Sequence, residues 1–167
     1  MRKTVRTIVA SLLFAVAALA PAYADSFQSG VAAYNHKNYV AAARLFLPLA
    51  NHGHVRAQSY LAFMYSTGHG VPKNYVAAAW WAKRAAKQGE PGAQYLLGLM
   101  YDKGQGVPQD YVAAYMWLNL SSAHAPPSGR KHGALIREAV ATKMTYEQLA
   151  EAQHRSLAWI PVRERRR

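Results

Sequence analysis

The sequence predicts an all-α fold, a short solenoid of antiparallel helix pairs. Three observations carry this. The chain matches itself when shifted by 36 residues, with 15 identities between Gly53–Gln88 and Gly89–His124. Apolar residues within each period recur at helical spacing. Each apolar run is ended by glycine and proline at the same place. A fixed period of roughly 20 to 50 residues means stacked units, each contacting only its neighbours.

Residues 1–24 read as a signal peptide. Arg2, Lys3 and Arg6 form a basic start, and Thr7 to Ala20 is an uncharged, mostly apolar run. That run falls short of the about 20 residues needed to span a bilayer. Ala22-Tyr23-Ala24 supplies the small-x-small pattern of a cleavage site. The expectation is export to the periplasm or beyond the cell, cleavage before Asp25 and no transmembrane helix.

Residues 25–52 read as an atypical first helix pair. Gly30-Val31-Ala32-Ala33-Tyr34 is helical, and a tight turn follows at Asn35 to Lys37. Asn38 to Ala43 then repeats letter for letter as Asn74 to Ala79. The Gly-x-Gly-Val-Pro loop of the later units is missing, as terminal repeats often depart from the pattern.

Residues 53–88 and 89–125 are the two full units. Ala57, Leu61, Met64 and Tyr65 lie at i, i+4, i+7 and i+8, one face of a helix, and return as Ala93, Leu97, Met100 and Tyr101. Gly68 and Gly104 supply left-handed stops, and Pro72 and Pro108 forbid continuation. Asn74 and Asp110 suit the N-caps of the second helices. Ala78, Trp81, Ala82 and Ala85 mark the buried stripe of the first of these, and Trp117 repeats Trp81. Trp80 breaks the repeat, since its mate is Met116, which makes it a candidate for exposure.

Residues 126–160 are expected to form two capping helices over the open apolar end. The second opens with the capping box Thr145-x-x-Gln148. Residues 161–167 form a basic tail.

The net charge is +12, and removal of residues 1–24 would leave +9. Such a balance favours acidic partners: an acidic envelope polymer, an anionic lipid surface or an acidic protein. Nucleic acid is not among the partners expected. The absence of cysteine excludes disulfides, thiol chemistry and Cys-ligated metal. The carboxylates read as caps and solvated faces rather than a converging acid/base pair. His52, His54 and His69 do not have the three- or four-ligand spacing of a metal site. The Gly-x-Gly loops follow helices and lack the lysine and hydroxyl of a phosphate loop. No cofactor, metal or catalytic residue is expected, and the protein reads as a non-enzyme.

The pattern Ala-Gln-x-x-Leu-x-x-Met-Tyr-x-x-Gly-x-Gly-Val-Pro-x-[Asn/Asp]-Tyr-x-x-Ala-x-x-Trp resembles the Sel-one-like repeat (SLR), a cousin of the tetratricopeptide repeat. Gly30, Tyr34, Tyr39 and Ala42 of the first unit are closer to a tetratricopeptide repeat. The segment from Ala141 to Gln153 is similar to the closing segment of small exported bacterial members. The resemblance implies a right-handed solenoid serving as an interaction scaffold in envelope, secretion or host-contact settings.

It also implies a register. First helices line the inner side of such a stack, and the groove positions then fall on Phe27, Val31 and Tyr34, on Arg56, Ser59 and Phe63, and on Tyr95, Leu99 and Lys103. Two functions are expected from this: a scaffold binding a protein or peptide in the groove, or an electrostatic binder of acidic envelope material through the basic surface and tail.

Overall fold

The computed structural model describes residues 26–124, 126–162 and 164. The predicted signal peptide and Arg163 and Arg165 to Arg167 of the tail lie outside them. Every regular element among the described residues is a helix. Helix α1 covers 26–35, and α2 (Tyr39–Asn51) completes the first pair. Helices α3 (Val55–Thr67) and α4 (Tyr75–Lys87) form the second, and α5 (Pro91–Lys103) and α6 (Tyr111–His124) the third. Helices α7 (Pro127–Ala141) and α8 (Tyr146–Ala158) follow. From α2 to α7 each helix packs on the next, α8 returns to α6, and α3 also touches α5. This is the all-α solenoid of helix pairs that the period predicts.

Local chemistry places the helix ends. Asn38, Asn74 and Asp110 accept hydrogen bonds from the backbone N–H of Ala41, Ala77 and Ala113 at 3.3, 3.0 and 2.9 Å. Each satisfies one of the orphan donors at a helix start. The first helices of the pairs use less usual caps. His54 Nδ1 accepts from Ala57 N–H, and the Glu90 carboxylate accepts from Ala93 N–H. His54 is therefore a cap, and the sequence pattern alone did not identify it as one.

The two glycines of each Gly-x-Gly loop do different work. Gly68 and Gly104 take φ of 83° and 65° and close the first helices onto the carbonyls of Met64 and Met100. Gly70 and Gly106 lie against the start of the preceding second helix. A Cβ there would collide with the backbone carbonyl of Tyr39 or Tyr75. The second glycine thus sets the spacing between units as well as the turn.

The main core runs from α1 through α6. Ala57, Ala62, Ala78, Ala82, Ala85, Ala86 and Ala93 are buried there and let the backbones approach closely. Phe46, Leu61, Met64, Leu97 and Met100 fill the remaining space, with Trp81 and Trp117 buried at equivalent places. Tyr65 and Tyr101, on the same sequence stripe, are only half-buried against this core. A second cluster joins Ala114, Tyr115 and Leu118 of α6 to Val140 of α7 and Ala152 of α8. The Thr145–Gln148 capping box starts α8, with both of its reciprocal hydrogen bonds made.

Phe27 requires a correction. The register placed it in the groove, but it is buried. Its ring lies 5.8 Å from Phe46 and stacks at 4.5 Å on His54. Among the described residues no helix pair precedes this one, and Phe27 turns inward to close that end.

After α8 the chain becomes extended at Trp159 and crosses back to the second pair. Val162 N–H donates to Lys87 C=O at 2.8 Å. Trp159 packs edge-on against Trp117 at 6.2 Å. No helix among the described residues is long and apolar enough to cross a membrane.

Candidate binding groove between the first helices

Side by side, α3 and α5 leave an open groove of about 490 Å³. Arg56, Ser59, Tyr60 and Phe63 form one wall, and Gly92, Tyr95, Leu96 and Leu99 the other. Tyr34 of α1 closes one end, and Glu90 lies at the foot of α5. Residues i, i+3, i+4 and i+7 share a helix face, which is why each wall comes from a single stripe.

The floor is aromatic and held from behind. Tyr60 stacks on Phe46 at 4.7 Å and meets Tyr34 edge-on at 5.2 Å. Tyr34 in turn meets Tyr39 edge-on at 5.2 Å. Burial raises the Tyr34 hydroxyl above its ordinary pKa, with Tyr39 and Tyr60 adding to the effect. Burial alone raises Tyr95. Both phenols therefore stay neutral as hydrogen-bond donors and acceptors. Phe63 is 44 % exposed on the rim.

Two charged groups border the groove. Ser59 Oγ donates to Glu90 at 2.7 Å while the same carboxylate caps α5. Both hydrogen bonds fall on the same carboxylate oxygen, Oε2. Arg56 is exposed, its guanidinium 5.0 Å above the Phe27 ring. The groove offers a ligand an apolar aromatic bed and a cation at one edge.

Of the nine residues placed in the groove by the sequence register, six line it: Tyr34, Arg56, Ser59, Phe63, Tyr95 and Leu99. Phe27 is buried behind it, and Val31 packs against the core. Lys103 is exposed near the end of α5 and lies off the lining. Sequence reasoning missed Tyr60 and Leu96, the residues after Ser59 and Tyr95. Their repeat positions carry different letters, Tyr against Leu, and that divergence was the available signal.

Other sequence features resolve without a site. His69 stacks on Tyr39 at 4.4 Å, and among the described residues no three His, Asp or Glu side chains group as metal ligands. Trp80 is 51 % exposed, with the Arg84 guanidinium 4.7 Å over its ring. The repeated Gln58 and Gln94 are fully buried and donate back to Ala50 C=O and Ala86 C=O at 3.1 and 3.2 Å. They tie each first helix to the end of the helix before it.

Stacked helix pairs with a groove between their first helices define a helical-repeat scaffold for protein–protein interaction. The profile of the Sel1 repeat matches residues 55–90 and 91–125. The crystal structure of a Sel1 repeat protein from Oxalobacter formigenes is 33% identical, with a TM-score of 0.58. That match covers 67% of this chain and 87% of the other. The chain belongs to the Sel1 repeat family. It is also similar to a protective antigen present in uropathogenic Escherichia coli strains, whose crystal structure displays an SLR fold. There the identity is 29%, the TM-score 0.74, and the match covers 83% of this chain but only 30% of that one. A comparison with curated proteins found no match.

Proposed function

We propose that this protein is an exported, non-catalytic adaptor of the bacterial cell envelope that captures a partner protein through a peptide segment lodged between α3 and α5. The observation that carries this is the groove itself. Aromatic and aliphatic side chains line an open channel, and Phe63 stands exposed at its rim where a partner's apolar side chain would cover it. Interface hot spots concentrate in such aromatic-walled, desolvated clefts. Export rests on the sequence of residues 1–24.

The test is affinity capture by the mature protein from envelope extract, read by mass spectrometry, with Phe63→Ala and Leu99→Ala as controls. A partner retained by wild type and lost by both variants supports the reading. Equal capture by the variants ends it, and so would reproducible turnover of a cell-wall substrate abolished by one substitution in a folded protein.

The electrostatic reading has one observation in its favour. The carboxylates are largely committed internally: Asp102 to Lys143, Glu138 to Arg137, Glu151 to Arg155 and Glu164 to Arg84, with Glu90 and Asp110 used as caps. The excess positive charge is left facing outward, suited to an acidic envelope polymer or an anionic lipid surface. Added salt should weaken such binding steeply and leave groove binding nearly unchanged.

A further inference from the structure

We propose that Gln58, Arg84 and Gln88 form a second peptide-binding site, which takes the glutamate side chain of an extended peptide and which the chain's own tail fills in cis. The site is independent of the groove. Gln58 precedes Ser59, so its side chain leaves α3 about 100° away from the groove wall.

The receptor is built around a carboxylate. Arg84 donates from Nε to one oxygen of Glu164 at 2.9 Å and from Nη2 to the other at 2.6 Å. Gln58 Nε2 adds a third hydrogen bond at 3.0 Å. A planar guanidinium fork matches a carboxylate in this two-point manner, and charge-assisted bonds are the strong ones. The peptide backbone is read as well: Val162 N–H meets Lys87 C=O, and Glu164 N–H meets Gln88 Oε1 at 3.3 Å.

The donors are held in place from behind. Gln58 is fully buried, its amide also bonded to Ala50 C=O and its oxygen receiving Gln88 Nε2 at 2.9 Å. Gln88 is fixed further by Arg84 C=O. The Arg84 guanidinium lies over the rings of Trp80 and Trp81 at 4.7 and 5.0 Å. Trp80, the tryptophan that departs from the repeat, therefore orients the arginine.

The repeat provides the comparison. One period on, Arg84 is replaced by Leu120 and Gln88 by His124, and Gln94 is left with its side-chain oxygen buried and unpartnered. The third unit folds without the set. Arg84 and Gln88 are thus additions to one unit around a glutamine that recurs, and not a requirement of the architecture.

The occupant is held mainly by polar contacts. Ile160 and Val162 are 76 % and 65 % exposed, so little apolar burial fixes the strand beyond Trp159. A tethered ligand competes at an effective concentration in the millimolar range, about what a short linker provides. The site is therefore masked in the resting chain and opens to an outside peptide when the tail leaves.

The test uses the full chain with Glu164→Ala, and with Glu164→Gln as the milder variant. The probe is a blocked synthetic peptide with the sequence of residues 159–164, set against the same peptide carrying glutamine for the glutamate. Calorimetry should show both variants binding the glutamate peptide at least about tenfold more tightly than wild type, a difference of about 1.4 kcal/mol. The glutamine peptide, or Arg84→Ala added to either variant, should lose that gain. Adding Phe63→Ala should leave it intact, which separates this site from the groove. If the variants stay helical by circular dichroism and gain no binding, or bind both peptides alike, the tail is only a structural strap and the proposal is overturned.

Discussion

Ser59 and Glu90 join the two walls of the groove, the serine hydroxyl of α3 donating at 2.7 Å to the carboxylate that caps α5. One carboxylate thereby starts a helix and sets the separation of the walls. Gly92 keeps that end open, since a Cβ there would press to 3.2 Å from the same carboxylate. Glu90→Ala should remove both functions. Losing a cap costs about 0.5–2 kcal/mol, and in a domain of this size each kcal/mol lowers Tm by about 2–4 °C. Ser59→Ala should leave the cap and melt within about 2 °C of wild type. Thermal melts of the two variants check the order.

Phe63→Ala and Leu99→Ala should abolish partner capture with little change in stability. Both line the groove, and neither is packed into either apolar cluster. A groove hot spot should cost about 2 kcal/mol or more in binding. Tyr95→Ala should behave differently, because Tyr95 also packs on the cluster around Ala114 and Leu118. It should lower both capture and Tm. Trp117→Ala should lower Tm first, at the roughly 3–5 kcal/mol of a buried aromatic.

The two buried glutamines should be unequal. Gln58 bonds Ala50 C=O, Glu164 and Gln88, whereas Gln94 bonds only Ala86 C=O and leaves its oxygen unpaired. Gln58→Leu strips partners from several polar groups, each worth about 1–3 kcal/mol when buried unsatisfied. Gln94→Leu strips one and removes an orphan acceptor. Denaturant unfolding should find Gln58→Leu the more destabilising, and a reversed order contradicts the hydrogen-bond assignment.

The tail contact should titrate. The hydrogen bond from Arg84 holds the Glu164 carboxyl below its usual pKa; burial opposes this, and Gln58 together with the Arg84 charge assists it. A depressed acid stabilises the fold above its unfolded pKa, and that stability fades as pH falls through the folded value. The Tm difference between wild type and Glu164→Gln should be full near neutral pH and shrink in acid below the usual carboxylate range. A difference constant across that range rules out the ion pair as its source.

The helix pairs, their starts and stops and their apolar stripes were legible in the sequence because each is a local property repeated at a fixed period. Asn74, Asp110, Gly68 and the Thr145 capping box act within four residues of where they stand. Six of the nine groove residues followed from the same register. Phe27 did not, because among the described residues the first unit has no predecessor, and the ring buries itself against Phe46 and His54. The hydrogen-bonding of Gln58 and Gln94 was not legible either: their identity recurs, but the carbonyls they satisfy belong to the preceding helix. Least legible was Glu164, which read as part of a basic tail. Its partners Gln58 and Arg84 lie 106 and 80 residues away. Periodicity determines how neighbours stack, while a strand returning across the stack is selected by shape and charge that exist only once the helices are packed.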